Sequence, residues 1–256
     1  MRELFSVKIY IGTPGNQLQA SLVTDEMPVL VSFAAFSPFL ERYMRAFGND
    51  LLLDSGAYSV YASGVKVDLA EYSAWTEQWP WAVCAGLDDV GGDWRQSLRN
   101  YENGIGFPTL HDTDKNPEAF LDELIPIARE RGNWIGIGLE PFKRQRAGRE
   151  PWLRRIVERI PDSLHVHLWA GGRYLHVPGI HSSDSIHPFL EYGKYMKLLP
   201  FLTSSECLEL AVKKVRRERT CPANHRRTRD AADHAGCRSG ADRPCRRGSG
   251  AQCADG

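Results

Sequence analysis

Several apolar runs in this sequence stop on a side chain able to give, take or replace a proton. Leu53-Asp54-Ser55-Gly56-Ala57-Tyr58 halts on a carboxylate and a small-residue turn, through which a ligand can approach the backbone. Asp-Ser-Gly is equally an ordinary turn. Gly86-Leu87-Asp88-Asp89 carries adjacent carboxylates, of which strand alternation points only one inward, and the other reading is a cap for Gly91-Gly92-Asp93. Pro108-Thr109-Leu110-His111-Asp112 ends on an imidazole, and His181-Ser182-Ser183-Asp184-Ser185 on a further carboxylate. Ile135-Gly136-Ile137-Gly138-Leu139-Glu140 alternates glycines inside a strand, which marks close approach by a ligand or another backbone. Singly, such residues commonly just satisfy backbone groups. Together at one mouth, they describe a site.

Bringing those ends together calls for parallel strands joined by helices. Eight β-like runs (residues 6–11, 29–36, 51–54, 81–88, 105–111, 134–139, 164–169 and 177–183) alternate with helical patterns. The predicted fold class is α/β, an irregular (β/α)8 TIM-type barrel with its chemistry at the carboxyl ends of the strands; an open doubly wound sheet is the competing architecture. Asn116-Pro117-Glu118 reads as an N-cap with proline at the first helical position, running to a stop at Gly132, and Asp68 and Asp93 read as caps of two other helices. Residues 170–176 are too few for a crossover helix, so that corner is expected to be irregular.

The 256 residues, 42% hydrophobic with a mean hydropathy of −0.39, suit one globular domain. No apolar run approaches the ~18 residues of a membrane span, and the N-terminus lacks a secretory pattern, so no membrane partner and a cytoplasmic location are expected. The zero net charge divides unevenly. Residues 211–256 hold 12 Lys and Arg against 5 Asp and Glu, leaving 20 against 27 in residues 1–210. The reading is therefore a barrel domain over 1–210 and a basic low-complexity tail over 211–256. After Val215 there is no Leu, Ile, Val, Met, Phe, Tyr or Trp. Such a segment has nothing with which to form a core; it is expected to be disordered, or an out-of-frame translation of GC-rich coding sequence. The Cys residues at 207, 221, 237, 245 and 253 lack the short-spaced pairs of structural zinc, so no metal and no cofactor are expected.

Taken in order, Leu52-Leu53-Asp54-Ser55-Gly56-Ala57-Tyr58-Ser59, Leu87-Asp88, Pro108…His111, Gly136-Ile137-Gly138-Leu139 and Ser183-Asp184-Ser185 resemble the tRNA-guanine transglycosylase superfamily. The likeness covers roughly residues 5–200 and is greatest to the short phage and bacterial members related to enzymes that place 7-deazaguanine bases in DNA. It implies an irregular barrel that exchanges a purine base on an intact sugar-phosphate chain. It implies Asp184 as nucleophile and Asp54 as acid/base. The base would be read by Asp88, with Asp89 the lesser partner, and contacted by Gly136, Gly138, Leu139 and His111; Ser55 and Gly56 belong to the same substrate-binding turn. The implied partners are DNA or tRNA, a 7-deazaguanine base and a protein of a modification complex. A basic patch of Lys143, Arg144, Arg146 and Arg149 is expected to offset the acidic body near phosphates. Tyr58 is read as packing rather than base stacking.

Two other readings fit the residue types. A metal-dependent barrel hydrolase would use Asp54, His111, His165, His167 and Asp184 as ligands, since His-x-His on a strand is a metal-pair spacing. A noncatalytic barrel would bind nucleic acid or a purine without exchanging it.

Overall fold

Runs such as Val29-Leu30-Val31 and Leu51-Leu52-Leu53 are apolar at every position, and parallel sheets covered on both faces select such continuous runs. In the computed structural model, the described residues are 7–24, 26–46, 50–58, 66–90, 93–139, 148–185, 188–189, 207 and 209–214. They contain eight strands: β1 (Lys8–Ile11), β2 (Val29–Ser32), β3 (Leu51–Asp54), β4 (Val83–Cys84), β5 (Thr109–His111), β6 (Trp134–Gly138), β7 (His165–Trp169) and β8 (Ser182–Ser185). The connecting helices are α1 (Gln17–Leu22), α2 (Pro38–Met44), α3 (Leu69–Thr76), α4 (Trp94–Asn103), α5 (Pro117–Glu130) and α6 (Arg149–Arg159), which follow β1 to β6 in turn.

The sheet order is β4-β3-β2-β1-β8-β7-β6-β5, with every pair parallel. Cyclic order puts β4 and β5 at the two edges. These meet at one parallel bridge, Ala85↔Phe107, where Phe107 N–H donates to the Cys84 carbonyl and Gly86 N–H to the Phe107 carbonyl, each at 2.8 Å. The curled α/β sheet fits a TIM-like barrel that is open along this seam except at the bridge. No helix among the described residues is long and apolar enough to cross a membrane.

Outward side chains divide between two helical layers. Ile9, Leu110, Ile135, Ile137, Val166 and Leu168 pack with Phe120, Leu121 and Leu124 of α5 and Leu153, Ile156 and Val157 of α6. On the opposite half, Val29, Val31, Leu51 and Leu53 meet Leu40 and Met44 of α2 and Tyr72 and Trp75 of α3. Inward, Tyr10, Leu30, Leu52, Ala85 and Phe107 fill the axis, with Trp134 and Trp169 against them. Each fully buried Leu or Phe contributes about 1.5–3 kcal/mol.

Helix punctuation follows the sequence closely. The Asp68 carboxylate accepts from Ala70 N–H at 2.9 Å and Glu71 N–H at 3.0 Å, and Asp93 accepts from Arg95 N–H at 3.1 Å. Pro117 opens α5, but Asn116 sits in the left-handed region (φ 57°) and its side chain makes no capping bond. After α5, Gly132 takes φ +90° and Asn133 N–H closes back on the Ala128 carbonyl at 2.9 Å, a Schellman stop.

Strand boundaries differ most in the last run. Residues 177–181 are not strand; β8 is the polar Ser182–Ser185. With no helix between β7 and β8, buried Leu175, Val177 and Ile180 of the connecting turns cover the sheet where a helix would. The apolar run is therefore core without being strand. The corner after β7 is irregular, as its length demands. Likewise the second run stops at Ser32, and Phe33–Ala35 turns as a 3-10 helix.

Candidate active site

The carboxyl ends of the strands surround one cavity of about 530 Å³. Asp54 from β3, Asp88 from the loop after β4, His111 from β5 and Asp184 from β8 all line it. Residues far apart in sequence thus converge because parallel strands deliver all their carboxyl ends to the same side.

Asp54 ends β3, opposite Ser32 in the register. Burial pushes its carboxyl up to about 7, and the charges of Asp88 and Asp184 add to the rise. Gly56 N–H pulls the other way, as does the Ser32 hydroxyl, which leans toward Asp54 without completing a hydrogen bond. Gly56 has φ +78°, and a Cβ there would strike Ala34 Cβ and Ser32 Oγ, so this turn needs glycine.

Asp88 Oδ2 contacts His111 Nε2, each side chain being 11% exposed. Burial alone would lower the His111 pKa, but the bond and charge of Asp88, with Asp114 and Asp112, outweigh it and hold the imidazole above its ordinary value. The pairing thus favours the protonated form of His111. His111 N–H is tied to Asp114 Oδ2 at 2.6 Å, which fixes the strand end.

Asp184 lies in β8 opposite Tyr10 of β1. Its Oδ1 accepts from Ala170 N–H at 2.7 Å, and its side chain keeps 21% exposure toward the cavity. Ala170 holds φ 47°, a left-handed conformation uncommon for a residue with a Cβ, and in that conformation its N–H meets the carboxylate.

Other expected site residues shape the walls. Ser55 is buried and accepts from Ala57 N–H at 3.2 Å. Asp89 turns away from the cavity: its carboxylate accepts from Asp93 N–H at 3.1 Å and its own N–H donates to Ser97 Oγ at 2.8 Å, so of the two carboxylates it takes the capping role. Gly138 and Leu139 line the cavity, whereas Ser55, Gly56, Asp89 and Gly136 do not. The glycines of β6 make room for neighbouring side chains, and Gly138 lines the cavity as well. A Cβ at Gly136 would meet Thr109 Oγ1 and Trp169 Nε1, and one at Gly138 would collide with the His111 ring.

Gly138→Ala is accordingly expected to push His111 off Asp88 and to destabilise the protein by about 1–3 kcal/mol, as overpacking does. Urea denaturation of variant and wild type checks this, and an unchanged midpoint would contradict the crowding.

Tyr58, 40% exposed, lines the cavity mouth rather than packing in the core. Trp169 and Ser32 also line it and were not singled out by sequence. Trp169 ends β7 as the acids end their strands, which is the signal that places it here; its Nε1–H donates to Thr109 Oγ1 at 3.1 Å. Arg149 of the expected basic patch is engaged in an ion pair. Its Nε lies 2.8 Å from Asp112 Oδ2, both side chains nearly buried; Lys143, Arg144 and Arg146 lie outside the described residues, as does the tail beyond residue 214. Among the described residues no group of three His, Cys, Asp or Glu side chains is disposed to hold a metal ion.

Fold and site together define an α/β barrel-type chain with a carboxylate-lined cavity at its strand ends. No protein-family model and no curated protein matches the chain.

Proposed function

We propose that the protein is a base-exchange transglycosylase that replaces guanine by a 7-deazaguanine derivative in nucleic acid, with DNA as the favoured polymer, through a covalent glycosyl–Asp184 intermediate. One observation carries the reading: a single cavity holds three carboxyls in three different environments. Asp54 is partly buried at the cavity wall with a carboxyl raised to about 7, Asp88 is paired with His111, and Asp184 is partly open and held by one backbone N–H. Environments that separate the behaviour of neighbouring acids are how one site runs acid, base and nucleophilic steps together. The order of motifs shared with tRNA-guanine transglycosylases supports the same roles, and on this reading the seam between β4 and β5 belongs to an irregular (β/α)8 barrel.

Displacing guanine develops positive charge at C1′ of the sugar, which the Asp184 carboxylate shields and then captures. The departing guanine takes a proton from Asp54, and the incoming base returns one to it. Asp88, oriented by His111, accepts from the N–H groups along the base edge. A cavity of this size admits a purine with its sugar. The metal-hydrolase alternative gains no support from the side-chain grouping, because His165 and His167 both face Ser182 Oγ, at 2.7 and 2.9 Å, instead of a shared centre with Asp54 and His111.

The test is entry of radiolabelled guanine, and separately of a labelled 7-deazaguanine, into duplex DNA and into unmodified tRNA. Label in one polymer is expected and identifies the substrate. A folded wild-type protein that labels neither overturns the reading and leaves a binding subunit.

A further inference from the structure

Beneath Asp184 a chain of polar side chains runs down the barrel axis and stops one contact short of it. His167 of β7 is fully buried, with its Nδ1 2.9 Å from Ser182 Oγ. Its Nε2 has no hydrogen-bond partner and lies 3.7 Å from Asp184 Oδ1. Ser182 Oγ is also 2.7 Å from Nε2 of His165, whose ring stacks on Trp134 with centroids 3.7 Å apart. The register explains the alignment: His167 stands opposite Ser182, and Ser182 and Asp184, two apart on β8, share a face.

Proton counting sets the direction of this chain. A hydroxyl has one proton, so between two imidazole nitrogens it donates to one ring and accepts from the other. Burial, with His181, His167 and Lys8 nearby, pushes the His165 pKa down to about 3, so that ring is neutral. If Ser182 donated to His165, His167 would be protonated on Nδ1 and would aim a bare Nε2 lone pair at the Asp184 carboxylate. In the reverse order His165 Nε2–H donates to Ser182 Oγ, the hydroxyl donates to His167 Nδ1, and His167 Nε2–H faces Asp184. Of the two orders with a neutral His167, only the second sets a hydrogen against the negative oxygen and leaves no buried lone pair opposed to a charge.

We propose that His167 is a positioning residue for Asp184, held as its Nε2–H tautomer by Ser182 and His165 so that its N–H is directed at Oδ1. Together with Ala170 N–H it anchors that oxygen, which leaves Oδ2 as the atom presented to the sugar. This rests on Asp184 being the nucleophile of the reaction proposed above. In the first half-reaction the Oδ2–C1′ bond forms as the C1′–guanine bond breaks, the electron pair leaving with the base, which Asp54 protonates. In the second, the incoming base gives its proton to Asp54 and bonds to C1′, while the C1′–Oδ2 pair returns to Asp184. His167 exchanges no proton. The present 3.7 Å is longer than a hydrogen bond, and contacts of this kind tighten when substrate binds.

The tautomer is read without any activity, by long-range ¹H–¹⁵N NMR of the full chain labelled in histidine, with His167 assigned through its loss in His167→Gln. A neutral Nε2–H ring is expected, and Ser182→Ala is expected to relax that preference. An Nδ1–H ring or an imidazolium overturns the proposal. Kinetics give the second arm. His167→Leu is expected to lower kcat by about 10²-fold with KM unchanged, the scale of losing one preorganised donor. His167→Gln, which keeps an N–H near the same place, is expected to retain kcat to within about tenfold. Equal kcat in the two folded variants overturns the proposal. If the Leu variant does not fold, Ser182→Ala carries the test, and unchanged kcat there overturns it. Absence of exchange in the wild type would instead sink the transglycosylase reading, with the NMR result still deciding the tautomer.

Discussion

Asp184→Asn is expected to abolish the proposed base exchange, by a factor on the order of 10⁴ or more, and to leave the fold intact. The size of the loss follows from chemistry: an amide neither shields a cationic C1′ as a carboxylate does nor forms a glycosyl ester that an incoming base can displace. The intact fold follows from geometry, because an asparagine oxygen can still accept from Ala170 N–H in the position that Oδ1 holds at 2.7 Å. Two measurements check it. Label incorporation should vanish, and the covalent protein–nucleic acid adduct expected of wild type on a denaturing gel should vanish with it. An asparagine variant that still exchanges within tenfold of wild type would remove Asp184 from the nucleophile's role.

For Asp54 the largest expected effect lies in pH dependence. With its carboxyl raised to about 7 by burial, Asp54 exists in both protonation states near neutrality, as a group that first gives and then takes a proton requires. Exchange by wild type should therefore show a limb near pH 7, and Asp54→Asn should lower the rate by roughly 10²–10⁴-fold and erase that limb. Stability must move as well. The unfolded carboxyl titrates near 3.9, so between that value and about 7 the folded protein binds the extra proton and stability falls as pH rises. The contribution is complete below the unfolded value and lost above the folded one, with a ceiling of about 4 kcal/mol. Urea denaturation at pH 5 and pH 8 should show the asparagine variant gaining on wild type at the higher pH. Parallel behaviour would mean that Asp54 is not held in its acid form.

Much of this site was legible because parallel strands write themselves plainly: continuous apolar runs with an ionisable residue at the carboxyl end. Asp54, Asp88, His111 and Asp184 were found in that way, and all four line one cavity. What lies between elements was not legible. Nothing local pairs Asp88 with His111, 23 positions away, and nothing in the glycines of β6 says that the space they leave belongs to the His111 and Trp169 side chains. The last strand misled for a physical reason. Val177 and Ile180 are apolar because they replace a missing helix over the sheet, while the strand itself is Ser-Ser-Asp-Ser, whose hydroxyls are spent on neighbours such as the Leu168 carbonyl, 2.5 Å from Ser183 Oγ. Asp184 is thus a member of β8 and not of a loop, and its geometry is set by ladder bonds.

The ladder that joins β1 to β8 also sets a timetable. Lys8 to Ile11 pair residue for residue with Ser182 to Ser185, so Asp184 is in place only once two segments far apart in the chain have found each other. During synthesis Asp54, Asp88 and His111 all emerge before residue 184 is made. Closure across so long a sequence separation is a slow kind of contact to form. On the proposed function, a nascent chain that already holds Asp54, Asp88 and His111 still lacks its nucleophile, and reactivity waits for the β1–β8 ladder.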